Sequence, residues 1–189
     1  MGYSADTFSA GEQPTTAKWN KLWSNDASFN DGTGIANLEI GAGHTSMKLD
    51  YKFSVYRAAA FSLSTGAATV IPYDTKLYDT GSNVDVATNK GRFTAPVAGF
   101  YHFNAQLAIS PTVNSSVAFI DIRKNGSEIN RGSRTVINGT DSLYLMISIE
   151  LQLAATDFVE IGGFASATTQ ALEVSTALNW FTGFLVSQT

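Results

Sequence analysis

Few side chains in this chain are able to do chemistry. It has two histidines, His44 and His102, and no cysteine, which excludes thiolate metal sites, cysteine nucleophiles and disulfides. No serine stands in a G-x-S-x-G context. No His-x-x-x-His pair or carboxylate cluster has the spacing that zinc requires. His102 faces away from Tyr101 and Phe103 in an alternating stretch and has no identifiable partner carboxylate. That favours a structural or interface residue over a general base. Asp74, Asp79 and Asp85 lie in turn-rich sequence. Loop carboxylates of this kind could gather around Ca²⁺, and they are equally the usual formers of turns. Gly41-Ala42-Gly43-His44 lacks the third glycine, the following helix and the later acidic residue of a nucleotide loop, so it reads as a plain turn. Asn114, Asn125 and Asn138 open formal N-glycosylation triplets, which a chain rich in Asn, Ser and Thr produces by chance.

With no catalytic set assembled, the expectation is a protein that is not an enzyme. Its organising stretch is Gly91 to Phe103. Gly91 and Gly99 bracket a short apolar run, and glycine turns a chain sharply or takes positive φ without penalty. Pro96 supplies no backbone donor, so Phe93-Thr94-Ala95 is expected to stop there or lie at an edge. After Gly99, Tyr101, Phe103, Ala105, Leu107 and Ile109 alternate with Phe100, His102, Asn104, Gln106 and Ala108, the period of a strand packed on one side. Leu143, Leu145, Ile147, Ile149, Leu151 and Leu153 repeat the pattern, with Tyr144, Met146, Ser148, Glu150 and Gln152 opposite. Asn125-Gly126 marks a two-residue hairpin turn, and Asn138-Gly139 a second turn. Val55 to Leu63 reads as the first strand. From Tyr51 onward short strands alternate with turn clusters and no long helical period appears, which is the pattern of an all-β sandwich.

The 189 residues carry 12 basic and 16 acidic side chains, a net charge of −4. No Lys/Arg cluster is present, so nucleic acid is a poor partner. No apolar run of about 18 residues spans a membrane as a helix. Charged residues make up 15% and aromatics 12%, against about 25% charge in ordinary domains. Obligate interfaces are poor in charge and rich in aromatics, so the composition predicts an oligomer.

Residues 1–50 differ in texture from residues 51–189, which form the expected β domain. Pro14-Thr15-Thr16 has the character of a helix start, and Trp19, Leu22 and Trp23 follow at i, i+3 and i+4 on one face. So short a helix needs a partner surface, either its own β domain or a larger assembly. Phe8 to Asn20 is similar to a segment near the start of bacteriophage tail-fibre and other virion proteins, which implies attachment through Phe8, Trp19, Leu22 and Trp23. The opening residues lack the order of a signal peptide, so Sec-type export is not expected if this is the natural start.

The spacing G-x-F-x-x-P-x-x-G-x-Y-x-F, carried by Gly91, Phe93, Pro96, Gly99, Tyr101 and Phe103, resembles the signature of the C1q family, jelly-roll domains related to tumour necrosis factor. Tyr73-Asp74, Gly81 and Asp85 match a further stretch, where Asp79 and Val84 replace the usual Asn and Tyr. Ala95 stands where many members have Cys. Lys124-Asn125-Gly126 is similar to the family's Lys-Asn-Gly. Thr156-Asp157-Phe158-Val159 resembles its Gly-Asp-x-Val, with Thr156 in place of Gly. Trp180-Phe181-Thr182-Gly183-Phe184-Leu185 resembles its final strand. The likeness covers about Tyr56 to Thr189 and implies a homotrimeric jelly roll without a cofactor, although some relatives bind calcium. Together with the N-terminal segment it implies a bacteriophage virion structural protein, a head or tail fibre or surface decoration. Such a protein would assemble in the host cytoplasm, bind other virion proteins, and engage a host-surface glycan or protein through loops such as Ser110–Ser116, Gly126–Asp141 and Ala165–Thr176. The alternative is a free-standing bacterial or secreted, extracellular C1q-like recognition module.

Overall fold

The computed structural model describes residues 51–57, 59–110, 113–138, 141–167, 170–175 and 177–189. The readings made on residues 1–50, among them Phe8, Trp19, Leu22, Trp23 and His44, lie outside the described residues.

All regular structure in the described residues is strand: β1 Lys52–Tyr56, β2 Phe61–Ser62, β3 Thr69–Val70, β4 Thr75–Asp79, β5 Val84–Asp85, β6 Arg92–Thr94, β7 Gly99–Ile109, β8 Val117–Lys124, β9 Ser127–Val136, β10 Leu143–Leu153, β11 Phe158–Ala165, β12 Ala171–Leu172 and β13 Trp180–Gln188. They make two antiparallel sheets. The first runs β2-β12-β7-β13-β1-β4 with β10 also on β7, and the second runs β5-β6-β11-β8-β9 with β3 also on β11. The result is a jelly-roll sandwich.

Strand β7 organises the first sheet. Gly99 to Ile109 pairs residue for residue with Leu153 to Leu143 of β10, and β13 pairs β7 from Trp180↔Gln106 onward. Residues 101, 103, 105, 107 and 109 are buried, as the alternation requires. Strand β13 lies between β7 and β1. On β10, Leu145, Ile147 and Leu153 are buried, while Leu143, Ile149 and Leu151 are half-buried against the core.

Aromatic rings fill the space between the sheets. Phe53 stacks on Phe93 at 4.9 Å between centroids and meets Phe181 edge-on at 4.8 Å, the offset and T-shaped geometries that ring quadrupoles favour. Gly183 is obligatory there, because a Cβ would stand 2.6 Å from the Phe103 ring and 2.8 Å from that of Phe53.

The expected first strand, Val55 to Leu63, is instead two strands, β1 and β2. Arg57 breaks it. Its guanidinium donates to the carbonyls of Ala59 and Ala60 at 2.9 and 3.0 Å, to that of Pro72 at 2.8 Å, and to Asp74 at 2.7 Å. The chain therefore bends around one side chain. Strand β6 ends before Pro96 as expected, although it pairs both β5 and β11 rather than lying at an edge. Asn125 and Gly126 take φ of 52° and 81° and close the β8–β9 hairpin, consistent with a primed turn.

Candidate assembly surface

The outward residues of the first sheet follow from its register. Across β10, β7 and β13 the rows read Met146, Gln106, Trp180, then Ser148, Asn104, Thr182, then Glu150, His102, Phe184. Strand β1 continues them with Tyr56, Ser54 and Lys52. Lys52 and Glu150 are the charged side chains that these four strands place on the face. Met146 is 52% exposed, Tyr144 51%, Val186 49% and Phe184 46%. The face therefore carries large exposed side chains at both ends, with Glu150, His102 and Lys52 in the same row as Phe184 at one of them, and a neutral polar band of Ser148, Asn104, Thr182 and Ser54 between. His102 lies in that row, next to the band. Its ring centroid is 5.4 Å from that of Phe184, and its Nε2 lies 3.4 Å from Asn104 Oδ1 and from Ser148 Oγ.

The outward face of the second sheet is built differently. Arg92 binds Glu160 at 2.9 Å and lies 3.9 Å over the Phe158 ring. Asp121 is fully buried, with Arg123 Nε donating to it at 3.0 Å. That hydrogen bond drives the Arg123 pKa above its ordinary value, against the opposing effect of burial. Arg123 also donates to the Ala68 carbonyl at 3.0 Å. Arg131 covers the Phe119 ring at 3.9 Å and pairs with Glu128 at 2.8 Å, while Phe119 stacks on Phe164 at 4.8 Å. Gly162, opposite Asp121 in register, leaves room for the carboxylate, since a Cβ there would lie 2.0 Å from Asp121 Oδ1. Each of these arginines is already engaged by a carboxylate of its own chain, while Val136 and Ile129 on β9 remain 51% and 43% exposed.

The residues singled out in the sequence divide accordingly. Phe93, Tyr101, Phe103 and Phe181 are core, and the Tyr101 hydroxyl donates to the Val97 carbonyl at 2.8 Å, in the bend that follows Pro96. Gly91 takes a φ of 87°, where a Cβ would stand 2.8 Å from the Ile71 carbonyl. At Gly99 a Cβ would lie 2.5 Å from the Ser187 carbonyl. Trp180 and Phe184 point the other way, onto the outward face of the first sheet.

Asp74, Asp79 and Asp85 are each used locally. Asp74 holds Arg57. Asp79 accepts from the backbone of Asn83 and Val84 and from Lys76. Burial raises its pKa, but these hydrogen bonds outweigh it and the net shift is downward. Asp85 accepts from the N–H groups of Ala87, Thr88 and Asn89. Those bonds, that of Asn89 foremost, lower it to about 2. Among the described residues no group of three or more His, Asp or Glu side chains could hold a metal ion. Asn125 is committed too, donating to Asp157 at 2.8 Å and accepting from the Phe158 N–H at 2.9 Å.

The sequence profile of the C1q domain matches residues 52–186. The chain belongs to the C1q domain family. No curated protein matches it in sequence. Among solved structures, this C1q domain is similar to the globular domain of zebrafish complement 1qA, at 21% identity, TM-score 0.55, covering 74% of this chain and 99% of that one. It is similar to the Eiger TNF of S. frugiperda at 7% identity and TM-score 0.55, covering 75% and 96%. Murine APRIL follows at 9% identity and TM-score 0.55, covering 72% and 99%. At these identities the likeness is one of fold.

The buried Asp121 and the arginine-covered rings were not foreseen in the sequence. The signal was faint: Gly162-Gly163 inside a strand marks a close approach, but only strand pairing shows that Asp121 is what approaches.

Proposed function

We propose that this C1q domain is a non-enzymatic head that assembles as a homotrimer through the outward face of its first sheet, and that it serves as a bacteriophage virion structural protein. The observation that carries the assembly is the contrast in charge. Four long strands present Trp180, Phe184, Tyr144 and Met146 with only Lys52 and Glu150 among them, the composition of a surface that meets protein. Domains of the C1q and TNF families are generally trimeric recognition or signalling modules, which supports a threefold arrangement. The virion role rests on residues 8–20, whose sequence is similar to a segment of phage fibre proteins, and on Trp19 and Trp23 as its anchors. Three weak sites on one head would then bind a host-surface glycan or protein with avidity beyond a single contact.

Sedimentation of the full chain and of a shortened chain beginning near Lys48 tests the assembly. Both are expected at three times the protomer mass. A single-protomer mass for both removes the proposal, and a single-protomer mass for the shorter one alone moves assembly to residues 1–47. Co-purification with phage particles, lost on Trp19→Ala/Trp23→Ala, tests the virion role. Export and glycan capture without particles would instead favour a free-standing recognition module.

A further inference from the structure

We propose that Asn125 is a self-modification site in the β8–β9 turn, held inert by Asp157, which keeps its carboxamide away from the Gly126 nitrogen. An asparagine followed by glycine is prone to attack on its own side chain, because glycine has no Cβ beside its nitrogen to obstruct the approach. Both residues are exposed here, and a Cβ added at Gly126 would meet nothing within 4 Å. Water and hydroxide therefore reach the turn. The reaction needs no oxidant or reductant. The Gly126 N–H gives its proton to hydroxide and the nitrogen bonds to Asn125 Cγ. The Cγ–Nδ2 bond then breaks, and the leaving nitrogen takes a proton from water and departs as ammonia. Water opens the resulting five-membered imide at either carbonyl, leaving an aspartate or its isomer with the side-chain carbon in the main chain.

The hold on the turn comes from the start of β11. Asn125 Nδ2 donates to Asp157 Oδ1 at 2.8 Å, and Asn125 Oδ1 accepts from the Phe158 N–H at 2.9 Å. The Asn125 N–H donates to the Phe158 carbonyl at 2.9 Å. Both ends of the carboxamide are thus tied to residues 157 and 158, and Cγ reaches the Gly126 nitrogen only when those bonds part. The carboxylate is itself fixed, by Lys124 Nζ at 2.8 Å and by the Ala154 N–H at 2.8 Å. An amide that donates to a carboxylate makes the stronger, charge-assisted kind of bond, so Asp157 contributes most of the hold. The product undoes the corner. A carboxylate at position 125 has no hydrogen to offer Asp157 and repels it, and the isomer adds a methylene to a turn whose length sets the hairpin register.

The test is prolonged incubation of the full chain in mildly alkaline buffer, with peptide mass mapping of amide-to-acid conversion at Asn125. The folded wild type is expected to convert roughly tenfold or more slowly than the same chain in denaturant, one hydrogen bond to a charged group being worth about that factor. Asp157→Ala is expected to recover most of that difference while still folded by circular dichroism. Asp157→Asn, which keeps an oxygen able to accept from Asn125, is expected to stay near the wild type. Arg131→Ala loosens the same hairpin without touching Asn125 and is expected to leave the rate unchanged. A wild type that converts as fast folded as in denaturant overturns the inference, whether or not any variant folds. So does a folded Asp157→Ala chain that is no faster. An Arg131→Ala chain that speeds conversion as much overturns it too, since general loosening would then be the cause.

Discussion

The two outward faces of this sandwich solve the same problem in opposite ways. Both carry large rings on strands whose other side is core. On the second sheet, Phe158 and Phe119 lie beneath Arg92 and Arg131, and each guanidinium is held by a carboxylate of the same chain. On the first sheet, Phe184, Tyr144 and Met146 stand roughly half exposed, with His102 and Lys52 across from Phe184, Ala108 across from Tyr144 and Gln106 across from Met146. An arginine laid over an aromatic ring both shields it and keeps the surface wet. The exposed Tyr144, Met146 and Phe184 are the side chains that the proposed assembly would cover.

The strongest way to break this contrast is to charge the bare face. Met146→Asp with Phe184→Asp is expected to abolish assembly while the circular dichroism of the sandwich stays intact. If the double variant sediments like the wild type, the first sheet does not mediate contact between copies. The next effect belongs to the other face. Asp121→Ala removes the partner of Arg123 from a fully buried site, and losing one member of a buried pair costs about 3 kcal/mol in unfolding free energy. Urea denaturation measures it, and a loss below about 0.5 kcal/mol, the scale of an ordinary surface change, would show that the second sheet is not closed by its own ion pairs. Arg131→Ala uncovers the Phe119 ring and is expected to cost about 1 kcal/mol, from lost packing as well as charge, with no change in assembly.

The long alternating strands were fully legible in the sequence, because β7 and β10 carry a strict period of two and a one-residue slip would exchange core and surface. The Asn125-Gly126 hairpin was legible from residue type alone. The break between β1 and β2 was not, since it depends on Arg57 reaching Pro72 and Asp74, residues 15 and 17 positions away. Strand β8 is legible only in part. Its inward residues Ala118, Ile120 and Ile122 fit the alternation, but Asp121 between them is as buried as they are, for reasons that lie on β11. The low overall charge was legible in the composition, but the make-up of the first sheet's outward face, its polar middle band included, emerged only from the pairing of β10, β7 and β13.

Two smaller effects should leave both faces alone and so sharpen the contrast. Thr156, where the family has glycine, takes a φ of 75°, a strained position for a β-branched residue. Thr156→Gly is expected to raise stability by about 0.5–1 kcal/mol in urea denaturation. Asp157, held by Asn125, Lys124 and the Ala154 N–H, is lowered from 3.8 to about 2. A carboxyl depressed in the folded state contributes stability above its unfolded value and loses it as pH falls through the folded one. Unfolding midpoints should therefore fall between about pH 4 and about pH 2, with a shallower slope in Asp157→Asn.

The seat of β13 bears on how the protein is made. Because β13 fills the gap between β7 and β1, the ribosome must deliver residues 180–188 before the first sheet can close. Until then β1 and β7 present open edges, the state in which nascent strands mispair with other chains. Copies emerging side by side from one message would be exposed to one another at that moment through those open edges.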